Sequence, residues 1–417
     1  MTVFYIKIRK LIVLIYYTNY SKIYIKKVIE MKVLFVVNNY YIKGNGLSAS
    51  ARRTVEYLKK AGVDVKVLSA KSPYDDGIEP EFMLDTKYIP IFNKLVKKQG
   101  YEFAKKDKEV IISAIEWADV VHLEEPFFLE MYVAKEANRL NKPITSTYHL
   151  HPENLFASIG LERGTTLNNT LLKFWRDNVF NKSVIIQSPT ENAKNRLVSN
   201  GFTPEIRVIS NGLLIEDDGK MVKKSDDEYT RIVSIGRLSR EKDEMTLIKA
   251  MKFSKYSNKI KLIFAGRGPL ENKLKKLAYK YYMHKYINVY PTFGFYSIGE
   301  LQTLARSCHL YIHCASIEVE GLSCLEAIQT GLVPIIAEAK YSATTQFALR
   351  SENKFPAHNA KELAKRIDFW IEHKELRKQE EEKYKKLKEE YDINKSIEKL
   401  IQMFNDAITI YNSKRDS

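Results

Sequence analysis

The chain has 417 residues, with 67 lysines and arginines against 51 aspartates and glutamates, a formal net charge of +16. That length accommodates two domains, and no apolar run approaches the ~20 residues a membrane-spanning helix needs. The cysteines, Cys308, Cys314 and Cys324, fit a reduced cytosolic protein better than a disulfide framework, and no C-x-x-C pair is present to hold zinc.

Residues 1–30 are rich in Ile, Tyr and Lys. Their longest apolar run, Leu11 to Tyr17, is short even for a signal peptide, and no small-residue cleavage site follows. The expectation is a leader upstream of a native start at Met31, with a basic membrane-touching extension as the other reading. From Met31 strands and helices alternate, which argues a parallel sheet covered on both faces. Val33–Asn38 is predicted as strand, Ser48–Ala61 as helix stopped by Gly62, and Val63–Ser69 as strand. Phe92–Lys108 interleaves bulky apolar residues with lysines, reading equally as a basic amphipathic helix lying on a membrane and as an ordinary surface helix. The end of a helix over Ile111–Ala118 leads to a strand at Val120–Glu124, and further strands are predicted at Ile144–Tyr148 and Val184–Gln187. Ser188-Pro189-Thr190-Glu191 reads as a capping box with proline at the first helical position, and Gly201 stops that helix. Ile206–Ser210 and the turn Asn211-Gly212 close a first domain of residues 31–212.

Residues 213–229 have the charged composition of a linker. A second βα series, 230–392, begins with strand Arg231–Ile235, helix Glu241–Met251, strand Ile260–Ala265 and helix Leu270–Tyr282. It continues with strand Ile287–Pro291, a helix near Ser297–Ser307, strand Leu310–Ala315, helix Leu322–Thr330 and strand Val333–Ala337. Lys374–Tyr391 is almost wholly charged and reads as a solvated helix. The last segment, 393–417, carries an apolar stripe through Ile397, Leu400, Ile401, Phe404 and Ile408, so it must pack on something.

Chemistry concentrates around Glu318 and Glu326, eight positions apart about the turn Gly321-Leu322-Ser323. A strand, a glycine turn and a helix start present free backbone N–H groups that suit phosphate. Two carboxylates beside an anion are electrostatically costly unless they bind neutral hydroxyls, so the arrangement reads as a pocket for a sugar nucleotide.

The spacing matches a Glu-x7-Glu signature, and the chain resembles the retaining glycosyltransferases of family 4. The resemblance implies the α/β GT-B fold, two Rossmann-like doubly wound domains facing a cleft, with the last helix crossing back onto the first domain. It implies a nucleotide-sugar donor (a UDP-sugar), no cofactor and no metal. By the same resemblance Glu318 lies by the donor sugar, Glu326 accepts from the ribose hydroxyls, and Gly321, Leu322 and Ser323 hold the diphosphate. Ser234-Ile235-Gly236-Arg237 and Glu241-Lys242 resemble the family's basic pair, which assigns Arg237 and Lys242 to the diphosphate. Gly266, in Gly266-Arg267-Gly268-Pro269, matches a turn near the base, for which tight-turn geometry is an adequate explanation. Gly44 and Gly46 match the glycine-rich loop facing the diphosphate. His149 matches a histidine that reaches the transferred sugar, with His151, Glu153 and Asn154 as acceptor contacts. There are two departures: Glu320 stands where the family usually has an aromatic residue, and Asp243 where it has glycine.

The loop Gly44-Asn45-Gly46 also spells a dinucleotide fingerprint. It lies five residues beyond its strand, and the second strand ends in Ser69-Ala70 without the acid that would hold a ribose, both against a nicotinamide enzyme. His122 and His313 sit in apolar strands and read as core histidines. His149 and His151 lack a third ligand at metal spacing. The positive charge favours an anionic partner, and without a nucleic-acid motif the expected one is a membrane surface or lipid. The acceptor-side segments look similar to those of bacterial transferases that glucosylate diacylglycerol, implying a cytoplasmic enzyme peripheral on the inner face of the membrane. A saccharide acceptor of capsule or lipopolysaccharide assembly and a non-catalytic GT-B scaffold are the alternatives.

Overall fold

The computed structural model describes residues 31–416 apart from 43–45, 73–78, 88–102, 158, 216–223, 225–226, 286 and 288. Most of the lysine-rich stretch Phe92–Lys108, the leader, Gly44 and most of the expected linker therefore lie outside the described residues.

The first domain contains β1 (Lys32–Val36), α1 (Gly46–Lys60), β2 (Asp64–Ala70), β3 (Phe82–Leu84), α2 (Lys108–Trp117), β4 (Val120–Leu123), α3 (Phe128–Arg139) and β5 (Ile144–Thr147). There follow α4 (Pro152–Ala157), α5 (Thr165–Asn178), β6 (Ile185–Ser188), α6 (Glu191–Ser199) and β7 (Glu205–Val208). These strands form one seven-stranded parallel sheet in the order β3-β2-β1-β4-β5-β6-β7. The second domain contains β8 (Thr230–Ile235), α7 (Glu244–Ala250), β9 (Ile260–Ala265), α8 (Glu271–Lys285), β10 (Thr292–Gly294), α9 (Ile298–Ser307) and β11 (Leu310–His313). It continues with α10 (Leu322–Ile328), β12 (Val333–Glu338), β13 (Lys354–Pro356), α11 (Ala360–Glu372) and α12 (Lys374–Leu387). Its six-stranded sheet runs β10-β9-β8-β11-β12-β13. Both sheets change direction beside their first strand, the switch point at which doubly wound sheets bind ligands.

Alternation along β1 explains the layering. Leu34 and Val36 face a core with α2, α3 and α5, whereas Val33 and Phe35 face the opposite side. That opposite side is covered by α1 and by the final helix, α13 (Ile393–Asp416), which inserts Ile397, Leu400, Met403, Phe404 and Ala407. The last helix therefore completes the first domain's core. Phe404 is fully buried, with its ring 5.2 Å from that of His122 in a T-shaped contact.

The two chain crossings between domains run side by side. Leu213 donates its N–H to Tyr391 O at 2.6 Å and accepts from Ile393 N at 3.0 Å, a two-residue parallel bridge. Gly212 makes this possible: at φ +74° a Cβ would lie 2.7 Å from Ile393 Cα.

Several local expectations need correction. The cap of α6 is Thr190, which accepts from Ala193 N at 3.2 Å, so Ser188 and Pro189 stand outside the helix. The edge strand expected over Ile287–Pro291 pairs instead as β10, because only Thr292–Gly294 reach β9. α12 is not simply solvated: Arg377, Glu380 and Tyr384 are buried, with Tyr384 in the second domain's core.

Phe404→Ala is expected to destabilise the protein by about 3–5 kcal/mol, the usual cost of emptying a buried phenylalanine site. Urea denaturation monitored by far-UV circular dichroism would read this as a lower midpoint in the first domain's transition.

Candidate active site

The C-terminal ends of β1, β4, β5, β8 and β11 carry the candidate residues, and each half of the site has its own electrostatic arrangement. In the first domain Glu124, just past β4, is buried. It accepts from His149 Nε2 at 2.6 Å and from His122 Nε2 at 2.9 Å. Burial pushes the Glu124 carboxyl up, but the His149 charge and these hydrogen bonds outweigh it and hold the group at about 2. Burial likewise opposes charge on His149, yet the Glu124 carboxylate and its hydrogen bond prevail and raise the imidazole above its ordinary value. Its pairing with Glu124 thus favours the protonated form of His149. His122 is a core histidine, as its strand predicts, and also serves this pair: its ring contacts Thr145 Oγ1 and Thr147 Oγ1, each at 2.9 Å.

The other acceptor-side residues lie deeper. His151 is fully buried, its Nδ1 2.9 Å from Tyr148 OH, and burial followed by the Arg196 charge keeps it well below its ordinary value. Glu153 is buried against Arg196 at 2.7 Å. Asn154 is half-buried and accepts from His151 N at 3.0 Å. Gly46 opens α1, and α1 is tied back by Ser48 Oγ donating to Asn39 O at 2.5 Å.

In the second domain β8 runs into Gly236-Arg237; the Arg237 carbonyl accepts from Ser239 Oγ at 3.2 Å, and its guanidinium has no hydrogen-bond or ion-pair partner among the described residues. Lys242 is paired with Glu318, which also lies 3.8 Å from His313 Nε2. Burial, then the Lys242 charge, holds His313 well below its ordinary value, so it stays a neutral ring anchored by Tyr311 OH at 2.8 Å. Asp243, at the family's glycine position, has φ +49°, a left-handed conformation aspartate tolerates better than most residues. Its carboxylate fixes the turn through Thr246 Oγ1 at 2.6 Å and His358 Nδ1 at 2.7 Å. This turn starts α7 at Glu244 rather than Glu241 and frees Lys242 to reach Glu318. Gly266 follows β9 and donates to Gly294 O at 2.7 Å, in backbone contact with Gly236.

Gly321, at φ +90°, begins α10, and a Cβ there would lie 2.2 Å from Thr344 Cγ2. Leu322 and Ser323 supply the first helical amides, outside the helix's own ladder, and Ser323 Oγ lies 3.4 Å from Tyr311 OH. Glu326 is half-buried one turn on. Burial raises its carboxyl, and the charges of Arg53 and then Lys242 pull the other way.

The second departure also has a structural reason. Glu320 is buried and accepts from Ser210 Oγ at 2.5 Å, Asn211 Nδ2 at 2.6 Å and Asn211 N at 3.2 Å, gripping the chain just before Gly212. Beside it Val319 enters the first domain's core and accepts from Thr190 Oγ1 at 3.0 Å. The glutamate motif of the second domain is therefore fastened to the first. Sequence reasoning missed Glu124 as the partner of His149 and Glu320 as a tether. For Glu124 the available signal was an acid closing an apolar strand at a switch point. Among the described residues no group of three or more His, Cys, Asp or Glu side chains could hold a metal ion.

Comparison with known proteins agrees with this geometry. Residues 44–216 match the family model described as Glycosyltransferase Family 4, and residues 217–387 match Glycosyl transferases group 1. The chain belongs to the family 4 glycosyltransferases. It is 22% identical over 320 residues, 74% of this chain and 71% of the other, to the alpha-monoglucosyldiacylglycerol synthase of Streptococcus pneumoniae. The catalytic domain of cholesterol-alpha-glucosyltransferase from Helicobacter pylori is 42% identical, over 39% of this chain and 98% of that one, with a TM-score of 0.36. The Anabaena HepE structure with UDP and glucose aligns over 90% of this chain and all of its own at TM-score 0.63 and 14% identity, which identifies the GT-B fold. The protein is thus a GT-B glycosyltransferase that uses a nucleotide-sugar donor.

Two outcomes test the electrostatics. The His149 contribution to stability is complete below its unfolded value near 6.5 and is lost as pH rises through its raised folded value. The Glu124 contribution is present above its ordinary 4.5 and is lost as pH falls towards about 2. An NMR titration should place the His149 midpoint above 6.5, and Glu124→Gln should bring it down. Glu320→Ala strands the Ser210 and Asn211 donors and is expected to cost about 1–3 kcal/mol, measured as a lower thermal midpoint.

Proposed function

We propose that this glycosyltransferase moves a hexose from a UDP-sugar to a membrane lipid such as diacylglycerol, with retention at the anomeric carbon and without a metal ion. The observation that carries the reading is the gathering of cations and carboxylates at the strand ends of the second domain, with a histidine–carboxylate pair at the strand ends of the first. Arg237 and Lys242 are cations suited to a diphosphate, Glu318 and Glu326 are carboxylates suited to hydroxyls, and His149 is paired with the buried Glu124 carboxylate. Arg237, Lys242 and the amides of Gly321, Leu322 and Ser323 offset the charge on the leaving diphosphate. Glu326 takes the ribose, while Gly266 and the Gly44–Gly46 loop let backbone approach the donor. His149 and Glu318 act at the sugar. His151 and Glu153 shape the acceptor side from within the domain, and Asn154 does so from its edge.

The bond from the anomeric carbon to the β-phosphate oxygen breaks through an oxocarbenium-like transition state. The acceptor oxygen arrives on the same face and gives its proton to the departing phosphate oxygen. Closure of the domains limits hydrolysis by excluding water.

Three features support the lipid acceptor: the net charge of +16, the alpha-monoglucosyldiacylglycerol synthase relative, and the exposed side chains of Ile159, Leu161, Leu167 and Phe174 beside the acceptor-side motif. No described helix is long and apolar enough to cross a membrane, and a peripheral position on the cytoplasmic face of a membrane suits such an enzyme.

The test is nucleotide release from UDP-, GDP- and ADP-sugars with a membrane-lipid extract as acceptor. Lipid-dependent release of UDP is expected, reduced at least 100-fold in Glu326→Ala and His149→Ala, as for loss of a group acting on developing charge. Release that responds to saccharide but not lipid would assign the acceptor to polysaccharide assembly, and no release from any donor would favour a binding scaffold.

A further inference from the structure

We propose that Arg53, on α1 of the first domain, is a diphosphate ligand that reaches the donor from across the cleft, opposite Arg237. The proposal rests on the nucleotide-diphosphate reading of the donor and adds to it a residue from the other domain.

Adjacent arginines on α1 do different work. The Arg52 guanidinium bonds the carbonyls of Tyr40 and Ile42 and so secures the end of the segment that follows β1. Arg53 Nε and Nη2 are shielded from solvent and have no hydrogen-bond partner. Leaving buried guanidinium donors unmet is costly, and arginine cannot escape the cost by deprotonating. Burial disfavours its charge, and the groups that oppose this most strongly are Glu326 and then Glu320, both on the second domain. The side chain therefore lies in the field of the wall that carries the glutamate motif.

Arg53 is not simply the counter-ion of these acids. It forms no ion pair with either, and Glu320 spends its oxygens on Ser210 and Asn211. A planar fork of free donors matches a phosphate's oxygens in a way a lone ammonium does not. On the second domain Lys242 is already engaged by Glu318, and the Arg237 guanidinium has no partner among the described residues. Two unpartnered guanidiniums on opposite walls, with the ribose carboxylate Glu326 near one of them, fit a diphosphate held from both sides. Donor binding would then draw the domains together.

Isothermal titration calorimetry of the full chain with UDP, GDP, ADP and the matching nucleosides tests this, using wild type, Arg53→Gln and Arg53→Lys. The expected result is diphosphate binding weakened roughly 10- to 100-fold in Arg53→Gln, the value of a charged hydrogen bond. Nucleoside binding should be unchanged and Arg53→Lys intermediate. Arg53→Gln should melt no lower than wild type, since it removes a charge without a partner. Unchanged diphosphate affinity in Arg53→Gln would overturn the proposal. So would an equal loss for nucleoside and diphosphate, which would mean that Arg53 only positions Glu326. If wild type binds no nucleoside diphosphate, the donor reading itself fails, an outcome distinct from failure of Arg53 alone.

Discussion

The buried carboxylate of Glu320, held by Ser210 and Asn211, is the contact on which the arrangement of this enzyme depends. It belongs to the turn that carries Glu318 and Glu326, yet its partners belong to the segment that leads out of the first domain. Two residues further on, Leu213 is bridged to the returning chain at Tyr391 and Ile393. The glutamate motif and the pivot of the two domains are therefore one mechanical unit. A movement of one domain against the other must carry the glutamate turn through a defined arc, because the turn cannot slide independently of the pivot.

A second chain of contacts reaches the same place from the acceptor side. His149 bonds Glu124, Glu124 bonds His122, and His122 contacts Thr147. Thr147 donates to Gln187 Oε1 at 2.8 Å, and Gln187 Nε2 donates to Ile209 O at 3.0 Å, next to Ser210. His149 and the glutamate motif are thus anchored on adjacent residues, Ile209 and Ser210, just past one strand. The links from Glu124 through His122, Thr147 and Gln187 to Ile209 are buried, where hydrogen bonds are costly to leave unmet, so this side of the first domain is held firmly to the segment that grips Glu320. The unpartnered arginines are the opposite case: they are held without local bonds, which fits groups awaiting a ligand.

Much of this was legible in the sequence. The core strands announced themselves as short apolar runs such as Val120–Leu123, buried on both faces, and the final helix by its apolar stripe. The glutamate motif stood out because turn, helix start and acids are contiguous. What was hidden depended on distant partners. Glu124 earns its character from His149, 25 residues away, and Glu320 from Asn211, 109 residues away. Asp243 looked like a departure, but what its position requires is a left-handed turn, and aspartate supplies one. The charged run Lys374–Tyr391 concealed a narrow buried face because Arg377 and Glu380 occupy it: Arg377 donates to Trp370 O at 3.1 Å, and Glu380 accepts from Lys383.

The position of the last helix has a consequence for biosynthesis. Val33 and Phe35 face a surface that is covered in part by residues 393–407. A ribosome makes the whole second domain between these two pieces. The second domain's core draws on residues 213 to 391 and none of α13, so it can close while the first domain still exposes one face of its sheet. The half synthesised first is the half completed last, and its uncovered valines and phenylalanines must be kept from other chains until the C-terminus emerges.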